Sequence, residues 1–178
     1  MNSLYCVPFG VVDEHLTSAV EETLADTFNL EAHRMESHAL PAEIFDIKRQ
    51  QYNSENFLRT LLKTHPADSV RLLGVTTVDL FIPMLTFVFG HAQLDGHVAV
   101  VSSARLRQEF YGLPADANLT TRRMVKEAVH EIGHTFGLTH CTDKHCPMSL
   151  STSVLSIDTK ETRLCVNCRI ALHIHQST

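Results

Sequence analysis

No apolar run in this chain approaches the ~18 residues needed to cross a bilayer. The opening stretch, MNSLYCVPFGVVDEHL, lacks a charged leader, a long apolar segment and a small-residue cleavage site. Both absences lead to the expectation of a soluble, cytoplasmic protein with no membrane partner. Because the first strand signal comes early, no inhibitory pro-segment is expected. Positive charge is in short supply: 15 Lys and Arg stand against 20 Asp and Glu, a net charge of −5. Nucleic acid favours a basic surface, so it is not an expected partner. Disorder has no compositional support, with 44% hydrophobic and 20% charged residues. At 178 residues the chain suits a single domain whose core needs no disulfides. A monomer is the expected state.

What the chain does contain is concentrated in HEIGHTFGLTH, which reads His130-Glu131-x-x-His134-x-x-Gly137-x-x-His140. On a helix, the i, i+4 spacing of His130 and His134 puts both imidazoles on one face, one turn apart. That separation lets them share a tetrahedral zinc ion. Glu131 lies about 100° round the helix, beside the metal but outside its coordination shell, where a base for an activated water belongs. Gly137 tolerates φ > 0, so the helix can stop and the chain turn back. After that turn His140 can approach the same ion. Three imidazole ligands leave one position open, the mark of a catalytic zinc site.

Cysteine is sparse and unevenly spread: of five, four lie between residues 141 and 168. Secreted disulfide scaffolds spread even numbers of cysteines along the chain, and this pattern does not. Cys141-x4-Cys146 and Cys165-x2-Cys168 are two close pairs that fit a closed structural zinc site. Two disulfides, or a site in which His145 replaces one thiolate, are the alternatives. Cys6, alone in the first apolar run, reads as a small buried residue. His140 and Cys141 are adjacent, so the two metals should be neighbours on the order of 10 Å apart. Chelation should then loosen residues 141–168 and disturb His140 as well.

Elsewhere the patterning is coarser. Strands are expected at 3–10, 30–40, 69–80, 86–90 and 96–105, with a loop or edge at 81–85 around Pro83. Helices are expected at 13–28, from Ser54 with Phe57, Leu58, Leu61 and Leu62 buried, at 119–136, and at about 158–172. The 119–136 helix has Thr120 and Thr121 as candidate N-caps and a buried stripe of Met124, Ala128, Ile132 and Phe136. The last helix packs Leu164, Ala171 and Leu172. The strands ahead of the histidine helix could dock an extended substrate at a sheet edge. His33, His38, His91 and His97 read as solvated polar residues; His173 and His175 lie in a tail that could take up stray metal.

These residues resemble a known family. HEIGHTFGLTH matches the metzincin signature, and its continuation through CTDKHCPM to CVNC is similar to the archaemetzincins; RQQYNS adds a weaker likeness. The resemblance implies an α+β (α/β-like) fold: a metzincin-like mixed twisted sheet with packed helices above a cleft, and an active-site helix. It also implies a small zinc-stabilised C-terminal subdomain. It implies zinc-dependent hydrolysis of peptides, with catalytic zinc on His130, His134 and His140, Glu131 as general base, and Met148 as the Met-turn residue. A second zinc falls on Cys141, Cys146, Cys165 and Cys168. The whole chain, residues 1–178, is expected to form one domain, divided into an N-terminal subdomain over residues 1–137 and a C-terminal subdomain over residues 138–178. Two other functions compete. One is a binding module whose histidine site is catalytically idle. The other is a metal-dependent ribonuclease, which the acidic balance and the presence of Glu131 disfavour.

Overall fold

The structure is a computed structural model that describes residues 2–176. Along the chain run β1 (Ser3–Phe9), α1 (Glu14–Phe28), β2 (Glu31–Arg34), β3 (Phe45–Asp46), β4 (Gln51–Asn53), α2 (Ser54–Thr64) and β5 (Ser69–Thr76). After them come β6 (Leu80–Phe81), β7 (Gly90–Ala92), β8 (Val98–Ser102), α3 (Ala117–Thr135), α4 (Val154–Thr159) and α5 (Val166–Gln176). The main sheet has the order β2-β1-β5-β8-β7. Its neighbours are parallel except for β7, which lies antiparallel at the edge beside β8. A small second sheet, β3-β4-β6, sits apart.

The strands read as nearly continuous apolar runs because both faces of the sheet are covered. Side chains alternate between faces at period two. Leu4, Cys6, Leu73, Val75, Ala99 and Val101 pack with α1 and α3, whereas Val7, Phe9, Leu72, Val98 and Val100 pack with α2. The first cluster also takes in Leu138, Cys146, Met148, Ile157, Leu164 and Leu172. The C-terminal segment is therefore bound to the same core as the sheet and has little core of its own.

The mixed sheet with packed helices is the expected fold class, but several boundaries move. The 30–40 strand shortens to β2, with an isolated bridge from Phe9 to His38 beyond it. The 69–80 run splits into β5 and β6, which belong to different sheets. Residues 86–89 form no strand: Val88 bridges Leu80 and Phe89 O accepts from Ser102 N at 2.9 Å, and the edge strand falls later, on Gly90–Ala92. Leu62 is 44% exposed rather than buried. Thr120 and Thr121 do not cap α3, since their hydroxyls donate to the carbonyls four residues back. Asp116 caps it instead, accepting from Leu119 N at 2.8 Å. The single helix expected at 158–172 is two, α4 and α5, broken at 160–165 where Lys160 turns inward and is buried.

Candidate metal centre and its cleft

The histidine helix α3 ends in a Schellman motif. Gly137 takes φ +81°, Leu138 N donates to Gly133 O at 3.1 Å, and Gly137 N donates to His134 O at 2.9 Å. This turn also brings Leu138 O to the ring of His134, whose Nδ1–H donates to it at 2.7 Å. His130 makes the matching bond, Nδ1–H to Pro147 O at 2.8 Å. With both Nδ1 atoms protonated, both Nε2 atoms carry lone pairs. Those lone pairs face each other across 2.9 Å. Two acceptors at that range repel unless a cation lies between them, so the donor set fits a metal ion. His140 joins from beyond the turn, its ring 5.4 Å from that of His130 and 5.1 Å from that of His134. One ligand atom from each of the three falls within 4.8 Å of the others. Burial pushes all three imidazoles below their ordinary pKa, His130 farthest, and the Lys160 ammonium adds to this. They are held neutral, the form that binds metal.

Glu131 is buried on the floor of an open cleft of about 690 Å³, beside His130, His134 and His140. Burial, reinforced by Glu127 and opposed by Lys160, raises its carboxyl well above the ordinary range. The β7 edge closes over it so tightly that only glycine fits. A Cβ on Gly90 would stand 2.6 Å from Glu131 Cγ and 2.7 Å from its Oε1. Gly90→Ala is expected to displace the carboxylate and cut kcat about 10²-fold, the scale of a ~1 Å misplacement, with little change in KM. Steady-state kinetics on a cleaved peptide check this; an unchanged kcat would mean that the carboxylate position is immaterial.

Two further buried groups surround the histidines. Met148 is fully buried, its sulfur packed against α3 where a Cβ on Gly133 would stand, between His130 and His134. Glu127, one turn before Glu131, is paired with Lys160, Nζ to Oε1 at 3.1 Å. Sequence spacing suggests neither Glu127 nor Lys160, since they lie 33 residues apart and meet only through the fold. The one available signal is a lysine placed after Asp158 in a segment that otherwise reads as helix.

The second cluster gathers Cys141, Cys146, Cys165 and Cys168 with all four sulfurs within 4.8 Å of one another. Cys141 and Cys165 are 3.8 Å apart, Cys146 and Cys168 3.7 Å. Tetrahedral ligands about 2.3 Å from a zinc ion stand about 3.8 Å apart. No two of these sulfurs are bonded, and their separations are well beyond the ~2.05 Å of an S–S bond, against the disulfide alternative. His145 is turned away, bonded through Nδ1 to Thr159 O at 3.0 Å. Among the described residues, the metal-ligand groups are these two clusters. His33 and His97 are exposed, as expected, but His91 is half-buried, bonded to Ser54 Oγ at 3.0 Å, and lines the cleft. His175 packs beside Gly137.

Fold and site together define a zinc-dependent peptidase of the metzincin type. The family model of peptidase family M54 matches residues 18–174, and the chain belongs to the archaemetzincin family. It is 38% identical over 161 residues to the archaemetzincin of Methanocaldococcus jannaschii, covering 90% of this chain and 87% of that one. It superposes on the crystal structure of the Methanopyrus kandleri archaemetzincin with a TM-score of 0.87 and 36% identity, covering 99% of this chain and 96% of that one. A zinc-dependent peptidase from Methanocorpusculum labreanum gives a TM-score of 0.82 at 33% identity, covering 95% and 99%.

Proposed function

We propose that His130, His134 and His140 hold the catalytic zinc of this peptidase, with Glu131 as its general base. Cys141, Cys146, Cys165 and Cys168 hold a second, structural zinc. The facing Nε2 atoms of His130 and His134 carry the reading. When bound, a zinc ion supplies Lewis-acid polarisation of the scissile carbonyl and acidification of a water. The chain's own residues do the rest. Pro147 O and Leu138 O orient the two helix imidazoles and fix their tautomers. Glu131 accepts a proton from the attacking water and passes it to the leaving amine. Met148 serves as the Met-turn residue, supporting the helix beneath the ligands.

The edge strand β7, lining the cleft beside Glu131, supports docking of an extended peptide by backbone pairing. Leu85, Phe87, Phe89, Leu94 and Leu150 on the cleft walls favour apolar substrate side chains. As part of the same reading the enzyme works as a cytoplasmic monomer on peptides and not on nucleic acid; its net charge of −5 supports the last point. A fluorogenic peptide library, assayed with zinc-loaded protein, with chelator, and after zinc is restored, tests the proposal. Cleavage should follow the metal. If the zinc-loaded protein cleaves no peptide, the site is a binding module.

A further inference from the structure

Lys160 occupies an unusual place for a lysine. It follows α4, yet its side chain is wholly buried beneath the histidine site, paired with a Glu127 side chain that is 4% exposed. Its ammonium donates to Glu127 Oε1 at 3.1 Å and to Pro147 O at 2.9 Å. Ser151 Oγ supports the same carboxylate oxygen at 3.3 Å. Pro147 O is also the oxygen that accepts from His130 Nδ1 at 2.8 Å. A carbonyl has two lone pairs, and here both are used. One donor is the imidazole and the other is a charge-assisted bond from a group anchored on α3 itself. The ties before it, Arg123 to Asp158 and Lys126 to Ile157 O, fasten α4 to α3 but do not reach the histidines.

We propose that Lys160 is a positioning residue for the metal site, clamping the Pro147 carbonyl between Glu127 and His130 so that the His130 ring keeps its Nε2 aimed at the ion. The inference rests on His130 being a zinc ligand. A lysine there also answers a problem of charge. Glu127 is one turn from Glu131 on α3, and a second unpaired carboxylate under the site would repel the first. A neutral pair would settle the charge but not hold the carbonyl. That difference separates positioning from mere structure.

The test follows from it. Lys160→Met alone leaves the buried Glu127 carboxylate without its countercharge and is expected to destabilise the fold. The double variant Lys160→Met with Glu127→Leu buries no unpaired charge, and replacing a buried ion pair by apolar residues of similar volume is often neutral for stability. Four quantities are read on the wild type and the double variant: thermal midpoint, zinc retained against graded chelator, and kcat and KM on a cleaved peptide. Thiol titration shows whether the zinc lost is the one on the cysteines. Groups that orient a metal ligand from behind are worth about 10–100-fold in metal affinity or activity. The double variant should therefore keep a near-normal midpoint and its cysteine-bound zinc, hold the other zinc about 10–100-fold more weakly, and lose kcat with KM unchanged. Wild-type zinc affinity and kcat in a folded double variant overturn the proposal. A wild type that binds zinc on its cysteines alone sinks the underlying ligand assignment instead.

Discussion

Glu131→Gln is expected to lower kcat by about 10²–10⁴-fold, the range a positioned acid–base group contributes, while both zinc ions stay bound. The amide is nearly the same size as the carboxylate and should fit under Gly90, where there is no room for anything larger. It cannot accept a proton. Nor should it disturb the imidazoles, whose partners are backbone carbonyls and not Glu131. Loss of turnover without loss of metal is therefore the signature of a base, and zinc content measured beside kcat reads both. A variant that loses zinc would make Glu131 a structural support of the ligands. One that turns over as fast as wild type would remove it from the chemistry.

The second large effect is expected from Cys168→Ser. This sulfur is 3.7 Å from that of Cys146, and both residues are buried. A structural zinc site contributes about 10–16 kcal/mol in small domains. Whole domains are stable by only about 5–15 kcal/mol. Met148, Ile157, Leu164 and Leu172 tie residues 141–172 to the main core, but their contacts alone should not hold that segment closed. We expect faster backbone hydrogen exchange across that segment, with β1, β5 and β8 unchanged. Turnover should fall as well, because His140 is joined directly to Cys141, which bonds through its N–H to Met148 O at 2.9 Å. Unaltered exchange in 141–172 after the loss of one zinc would show that the segment stands without it.

Much of the site was legible because its spacing is local. His130, Glu131, His134 and Gly137 lie on one helix and its cap, where geometry is fixed by the helical period. The cysteine pairs were legible for the same reason, with close spacing inside each pair. The α1 stripe of Leu16, Val20, Leu24 and Phe28 is buried as its periodicity requires. What escaped was set partly by where an element begins and mostly by tertiary contact. Asp116 outcompetes Thr120 and Thr121 as a cap because the chain enters α3 earlier than its apolar pattern begins. The 158–172 run looks like one helix until the burial of Lys160 breaks it. Gly90 looks like an ordinary strand end; its meaning appears only when Glu131 packs against it from a segment far along the chain.

The most direct measurement is anomalous diffraction at the zinc edge from crystals of the untreated protein, grown with no added metal. Two peaks are expected in each chain, one among His130, His134 and His140 and one among the four sulfurs. A protein that cleaves peptides yet shows density only at the cysteines, with the His130 and His134 rings turned apart, would contradict the account.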